Sequence, residues 1–117
     1  MSGENLKERT KNFSLRVINL VDSLPQNTKS FVIGKQLLRS ATSVGANYRA
    51  VCRGRSKAEF ISKLSIVIEE SDESCFWLEI IIESKILKKE LVEPLLIEAN
   101  EIVAIMVASR KSAIKNS

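Results

Sequence analysis

The stretch that decides the fold is residues 56–85, SKAEFISKLSIVIEESDESCFWLEIIIESK. Its apolar residues recur at steps of three and four, which is typical of one long amphipathic helix. Ser56 and Glu59 predict a capping box at its start, in which the Ser56 hydroxyl accepts a hydrogen bond from the Glu59 amide. The predicted core stripe is broad enough for two neighbouring helices. It contains Ile61, Leu64, Ile68, Ser71, Cys75, Leu78 and Ile82, and is widened by Phe60, Val67 and Ile81.

The preceding segment, residues 29–53, has the same kind of periodicity with smaller side chains. Its predicted core positions alternate steps of three and four and are Phe31, Gly34, Leu38, Ala41, Gly45, Tyr48 and Cys52. Each interior glycine costs about 1 kcal/mol of helix propensity relative to alanine. We therefore expect the backbone of another helix to lie close against this one.

Helical patterns also occupy the two ends of the chain. A first helix is predicted over residues 5–23, where Pro25 interrupts the pattern, and the 56–85 segment gives a helix over 57–85. A last helix is predicted over 93–113, with Pro94 in its first turn and residues 88–93 as a linker. Its core face contains Leu95, Ala99, Ile102, Met106 and Ser109. We predict one all-α domain over residues 1–117, an antiparallel up-and-down four-helix bundle.

Composition narrows the possible chemistry. The 117 residues include no histidine, which removes the commonest general base and the imidazole ligands of most zinc and di-iron sites. Glu69, Glu70 and Glu73 are spaced like carboxylates of a bundle metal site, but the Glu-x-x-His pattern of such sites is missing. We predict no catalytic residue, no metal site and no cofactor, and hence a protein that is not an enzyme.

The two cysteines indicate the compartment. Cys52 and Cys75 fit neither a disulfide framework nor a metal knuckle, and each lies in an apolar stretch, so both are predicted to be core thiols in the cytoplasm. The first residues contain no apolar leader segment, and no apolar run approaches the length of a membrane span. Neither secretion nor membrane insertion is predicted.

Charge is unevenly distributed along the chain. The net charge is +4, yet residues 1–63 contain 12 Lys or Arg against 4 Asp or Glu, whereas residues 64–117 contain 6 against 10. Facing helices of opposite charge tend to form ion pairs. We predict structural ion pairs that join Lys35 and Arg39 of the second helix to acids of the third. The residues predicted to form them are Lys35, Arg39, Glu69, Asp72 and Glu73.

The remaining cations surround the connection between the second and third helices. We call this set the basic tip; it consists of Arg49, Arg53, Arg55, Lys57 and Lys63. Such a cluster can neutralise nucleic-acid phosphates, and repetition in an oligomer would strengthen it. The other interpretation is a solvated loop and helix face. Only Tyr48, on the predicted core stripe, is interleaved with these charges, so stacking on bases is poorly supported.

Several segments carry a family resemblance. They are QLLRSATSVGANYR at 36–49, RSKAEFISKL at 55–64, EESDE at 69–73, WLE at 77–79 and EANE at 98–101. Together they closely resemble the four helix bundle protein family, which is the group of 23S rRNA-intervening-sequence proteins. Many relatives have Glu where this chain has Ala50 and Ala where it has Gly54.

The resemblance implies a bacterial four-helix bundle that assembles as a ring-shaped homopentamer. It also implies a fold related to accessory proteins of diversity-generating retroelements, with nucleic-acid binding proposed and no enzymatic activity established. We therefore predict a homo-oligomer that binds nucleic acid, RNA or DNA, through the basic tip, with structured RNA or a ribonucleoprotein favoured. The alternative is an oligomeric adaptor that docks another protein without touching nucleic acid.

Overall fold

The computed structural model describes residues 3–116, which form four helices and, within that range, no strand. The helices are α1 (Gly3–Asp22), α2 (Thr28–Cys52), α3 (Lys57–Glu83) and α4 (Lys89–Lys115). The all-α prediction is confirmed. The observed helix ends lie within two residues of the predicted ones, except that α4 begins four residues earlier than expected.

The helices pack in a bundle with its core along the centre of an elongated molecule, 48 × 20 × 19 Å. The most extensive contact is between α2 and α3, while α1 packs on α2 and α4 packs on α3. The contact between α1 and α4 is much lighter. Large side chains that are fully buried come from every helix and include Phe13, Leu37, Leu64, Leu78, Ile102 and Met106.

The predicted core stripe of α2 is correct at four of its seven positions. Gly34, Ala41, Gly45 and Tyr48 are buried as expected, whereas Leu38 is half-buried, Phe31 is 70% exposed and Cys52 is also exposed. Buried residues outside the predicted stripe lie one residue before its positions and include Ser30, Leu37, Val44 and Val51. Since α2 packs between α1 and α3, its buried arc covers both helices and is centred away from Phe31. A related shift on α3 buries Ser74 and leaves Ile61, Ile68 and Ile82 half-buried.

The prediction that both thiols are buried is therefore right for Cys75 and wrong for Cys52. Cys75 is 4% exposed and its Sγ lies 3.5 Å from Asn100 Oδ1. Burial, reinforced by the charges of Asp72 and Glu79, raises the pKa of Cys75 to about 11.

The two thiols should consequently differ in reactivity. At pH 8 we expect Cys52 to react with a disulfide reagent at least about 100-fold faster than Cys75, because Cys75 is shielded and almost fully protonated. Stopped-flow absorbance with the parent and Cys52→Ser checks this. Rapid labelling of the folded Cys52→Ser protein would contradict the burial of Cys75.

The start of α3 has one of the two hydrogen bonds of the predicted capping box; the Glu59 carboxylate does not accept from the Ser56 amide. The Glu59 amide donates to Ser56 Oγ at 3.1 Å, and Ser56 has the extended backbone of an N-cap residue. Replacing Ser56 with Ala should lower the free energy of unfolding by about 1 kcal/mol, because one amide of the first turn loses its acceptor. Urea unfolding measures the difference, and Ser56→Asp should retain most of the stability. Equal stability of Ser56→Ala and the parent would contradict the role of this cap.

The start of α4 differs from the prediction. Residues 89–93, expected to be part of a linker, are helical, and Pro94 lies inside the helix and not in its first turn. Val92, which is fully buried, fixes this additional turn against the core. Burial of one aliphatic side chain stabilises by about 1.5–3 kcal/mol, enough to offset the helix bond that proline cannot donate.

The expected close approach to the glycines of α2 is confirmed on the α1 side. A methyl group in place of the Gly45 hydrogen would lie 3.1 Å from Ser14 Oγ and 3.4 Å from the Thr10 carbonyl oxygen. The Ser14 hydroxyl also donates to the Ala41 carbonyl at 2.8 Å. The small residues of α2 thus allow α1 to pack closely along it.

Candidate nucleic-acid interface

The structure divides the basic tip between different surfaces. Arg49 and Arg53 lie with Lys63 along an open groove of about 550 Å³, which we call the basic groove. Arg55 is exposed in the connection between α2 and α3, and Lys57 lies beside the end of α4. The full lining of the basic groove is Lys11, Ser14, Thr42, Gly45, Ala46, Arg49, Ala50, Arg53, Glu59 and Lys63.

Lys57 already has a partner in the fold. Its Nζ donates to the Asn116 carbonyl at 2.6 Å, just past the last residue of α4. The last carbonyls of a helix lack intrahelical donors and carry the negative end of the helix dipole, so a lysine there is stabilising. Lys57 therefore has a structural contact outside the basic groove.

The basic groove contains a cation that the sequence analysis did not select, Lys11 of α1. Lys11 lies beside Gly45, since a methyl group at that position would be in van der Waals contact with Lys11 Cα at 3.6 Å. The register of a simple helical hairpin could have found it. Thr10 contacts Gly45 and Ser14 contacts Ala41, so the position of Lys11 follows once α1 is folded back on α2 around residue 27.

Electrostatically, the basic groove combines cations from three helices with one acid. Lys11, Arg49, Arg53 and Lys63 surround it, and Glu59 is the carboxylate in its lining. Within residues 5–116, none of these four cations has a carboxylate within 4.0 Å. Between these charges the floor of the basic groove is formed by small side chains of α2, which leave room for a polyanion to approach.

The positive charge of Arg39 is paired with carboxylates of the same chain. Its guanidinium donates to Glu70 at 3.0 Å and also to Glu73, while the Trp77 indole donates to Glu73 at 3.1 Å. These hydrogen bonds, that of Arg39 first, lower the pKa of Glu73. Since the folded-state pKa is below the unfolded one, this pair contributes stability that is lost as pH falls through the folded-state value.

The other predicted ion-pair residues are not brought together. Glu70 takes the place predicted for Asp72, and in the described residues Lys35, Glu69 and Asp72 have no ion pair within 4.0 Å. The reason is the direction in which these side chains leave α3. Residues 69 and 72 point to its outer face, whereas residues 70 and 73 point toward α2.

A second charged cluster, absent from the sequence analysis, joins α1 to α4. Arg9 Nε and Nη2 donate to the two oxygens of Glu98 at 2.7 and 2.8 Å, and Nη2 also donates to Glu101 at 2.7 Å. The side chains of Arg9 and Glu98 are only 22% and 16% exposed. The hydrogen bonds that Arg9 donates to Glu98 raise the pKa of Arg9 above its usual value. This forked pair spans the lightest helix contact of the bundle.

The described part of the chain offers few groups for metal binding, membrane insertion or aromatic stacking. Residues 3–116 contain no group of three or more His, Cys, Asp or Glu that could hold a metal ion. No helix there is long and apolar enough to cross a membrane. Tyr48 is 6% exposed, and burial raises its pKa to about 12. Tyr48 is therefore a core residue and not a stacking platform beside the basic groove.

Comparison with known proteins gives one family and a solved relative. Residues 5–108 match the model of the 23S rRNA-intervening sequence protein family. A crystal structure from Bacteroides thetaiotaomicron, described as a protein with unknown function from the S23 ribosomal protein family, is 35% identical. The alignment covers 95% of this chain and 99% of that one, with a TM-score of 0.87. A search of curated proteins found no match. The chain belongs to the 23S rRNA-intervening sequence protein family.

Proposed function

We propose that this protein binds nucleic acid by placing backbone phosphates in the basic groove. The observation that carries the proposal is the convergence of Lys11, Arg49, Arg53 and Lys63, from three helices, around one open surface. Lysine and arginine that neutralise phosphates release condensed counterions, which supplies most of the affinity of sequence-independent binding. Binding is the whole activity that we propose, without catalysis.

The composition of the groove favours recognition of shape and charge over recognition of bases. Its lining contains no aromatic side chain, and its polar uncharged members are Ser14 and Thr42. Stacking, which single-strand readers use, has no platform there. The family description refers to an rRNA segment, which makes structured RNA the first ligand to test.

We also propose that the bundle is antiparallel and up-and-down and that it assembles as a homo-oligomer, with a pentamer favoured by the family resemblance. Contacts of Thr10 with Gly45, of Leu24 with Gly34 and of Arg39 with Glu73 support the topology. Assembly is supported by large apolar side chains left on the surface of the single chain, such as Phe31, Phe76 and Leu91.

A salt titration tests the function directly. Fluorescence anisotropy of a labelled RNA hairpin and a DNA duplex is measured from about 50 to about 300 mM KCl. With three or four phosphate contacts per groove, log K should fall linearly with log salt with a slope of about −3 for each groove engaged. An affinity that does not change with salt, or no binding at low salt, would overturn the proposal.

The second candidate function is a protein adaptor. The exposed aromatic residues Phe31 and Phe76 favour it, because such side chains anchor protein interfaces. Adaptor binding would depend on apolar contact and would respond weakly to salt. The same titration, repeated with a captured protein partner, separates this function from nucleic-acid binding.

A further inference from the structure

The outer face of α3 combines a single aromatic residue with a row of acids. Glu69, Asp72, Phe76, Glu79 and Glu83 follow one another at steps of three and four, and we call them the acidic stripe. The stripe faces outward, and Phe76 is 50% exposed. Within the described residues none of the four carboxylates lies within 4.0 Å of a lysine or arginine nitrogen. The Phe76 ring makes an edge contact with the Trp77 ring, with 4.9 Å between the centroids, and otherwise remains exposed. The bundle therefore leaves the outer part of this ring uncovered and the four carboxylates without ion-pair partners.

The outer face of α2 has the opposite character at its N-terminal half. Phe31 and Val32, 70% and 50% exposed, lie next to Lys35 and Arg39, and we call these four residues the α2 patch. Lys35 has no ion pair in residues 5–116, and half of the Arg39 side chain remains accessible beside Glu70 and Glu73. The chain thus carries two complementary exposed surfaces. The α2 patch combines apolar side chains with cations, and the acidic stripe combines an apolar side chain with acids.

The two surfaces lie at the same level along the bundle. Gly54 lies beside Phe60, Arg39 pairs with Glu73, and the Ser40 and Ser74 hydroxyls are 2.9 Å apart. Positions on α2 therefore decrease as positions on α3 increase, which puts Lys35 level with residues 76–79. The surfaces differ in the side of the bundle they occupy, not in their height.

We propose that the acidic stripe of one copy docks on the α2 patch of a second copy, with Asp72 and Glu79 facing Arg39 and Lys35, with Phe76 between them against the aliphatic parts of those two side chains, and with Phe31 and Val32 beside the Glu79–Glu83 end of the stripe. This proposal names the contact behind the homo-oligomer proposed above, and it rests on that assembly. The opposite charges on the outer faces of α2 and α3 that form no ion pairs within one chain form them between two chains.

Charge decides between the possible pairings. Two acidic stripes facing each other, or two α2 patches, would place like charges together, which opposes association. Opposite surfaces attract, so the contact is head-to-tail. The acidic stripe and the α2 patch lie at the same level along the bundle. Each repeat of the contact therefore rotates the next copy about an axis parallel to the helices without shifting it along that axis, and such a rotation can close a ring. Arg49 and Arg53 lie level with about Leu64 and Phe60, outside the acidic stripe, and stay available to phosphates.

Mixing two variants tests the contact. Phe76→Asp damages only the acidic stripe and Val32→Asp only the α2 patch, and Ile97→Asp, 53% exposed on α4, is the matched control. In sedimentation equilibrium at micromolar concentration we expect an oligomer for the parent and for the control. Each of the other variants should sediment as the 13.1 kDa monomer. An equimolar mixture of the two should form a heterodimer, since each member keeps one intact surface.

A charge exchange keeps the test independent of Phe76. Glu79→Lys alone and Lys35→Glu alone should weaken assembly at least about tenfold, and the chain that carries both should recover most of it. Oligomers of parental size for Phe76→Asp and Val32→Asp would overturn this contact and leave the proposed function standing. A monomeric parent would overturn this contact and the proposed assembly. Phosphate binding in the basic groove is judged separately by the salt titration.

Discussion

Replacing Arg49 and Arg53 together with glutamate should lower the affinity for an RNA hairpin at least about tenfold at about 100 mM salt. The double reversal takes two of four cations from the basic groove and adds two carboxylates beside Glu59. The slope of log K against log salt should flatten by about one unit for each phosphate that the protein no longer neutralises, and DNA and RNA should be affected alike. Anisotropy titrations over a series of salt concentrations measure both quantities.

The matched control is reversal of Arg110 and Lys111, two exposed cations on α4 that lie outside the basic groove. It changes the net charge by the same amount, so a weakening common to both variants would indicate long-range attraction only. Reversal of Arg53 and Lys57 should weaken binding less than reversal of Arg49 and Arg53, because Lys57 contacts the end of α4. Binding by the Arg49 and Arg53 double variant that equals the parent at every salt concentration would show that the basic groove is merely solvated.

Replacing Arg9 with Ala should lower the free energy of unfolding by about 2 kcal/mol. The substitution leaves Glu98, whose side chain is 16% exposed, without the two hydrogen bonds that satisfy its carboxylate. Breaking a fully buried pair costs about 3–5 kcal/mol, and the partial exposure of Arg9 and Glu98 reduces that figure. Urea unfolding followed by circular dichroism measures the change.

Two further variants identify the cause. Arg39→Ala should cost less than about 1 kcal/mol, because Arg39 is half exposed and its pairs are screened by water. The double variant Arg9→Met with Glu98→Leu should be more stable than Arg9→Ala, since no buried carboxylate is then left unpaired. A destabilisation by Arg39→Ala as large as that by Arg9→Ala would contradict this ranking of the two clusters.

The α2 helix shows how far the sequence predicts the fold. The spacing of apolar residues defines the helix, and Gly34, Ala41 and Tyr48 belong to its core in either of two neighbouring phases. Periodicity cannot choose between Phe31 with Cys52 and Ser30 with Val51. The choice depends on where α1 and α3 contact α2, which is a tertiary property. The capping of α3 was predictable because Ser56 and Glu59 act within one turn of chain.

The candidate site was predictable to a similar degree. Arg49, Arg53 and Lys63 come together because they flank a single connection, which the sequence order shows. Lys11 enters from the first helix, far away along the chain, and its place depends on the packing of α1 against Gly45. Lys57 lies outside the lining of the basic groove and contacts the C-terminal end of α4. The sequence pattern could not predict contacts between segments that are distant along the chain.

The early start of α4 has a consequence for motion. Pro94 has no amide hydrogen, so the Glu90 carbonyl has no partner in the helix ladder, and Lys88 provides no side-chain cap. The turn before Pro94 is held mainly by the buried side chain of Val92 and by the exposed pair of Lys89 with Glu93. This turn can therefore open by itself while the remainder of α4 stays folded. Its amide hydrogens should exchange with solvent through local opening, whereas those in the centre of α4 await global unfolding.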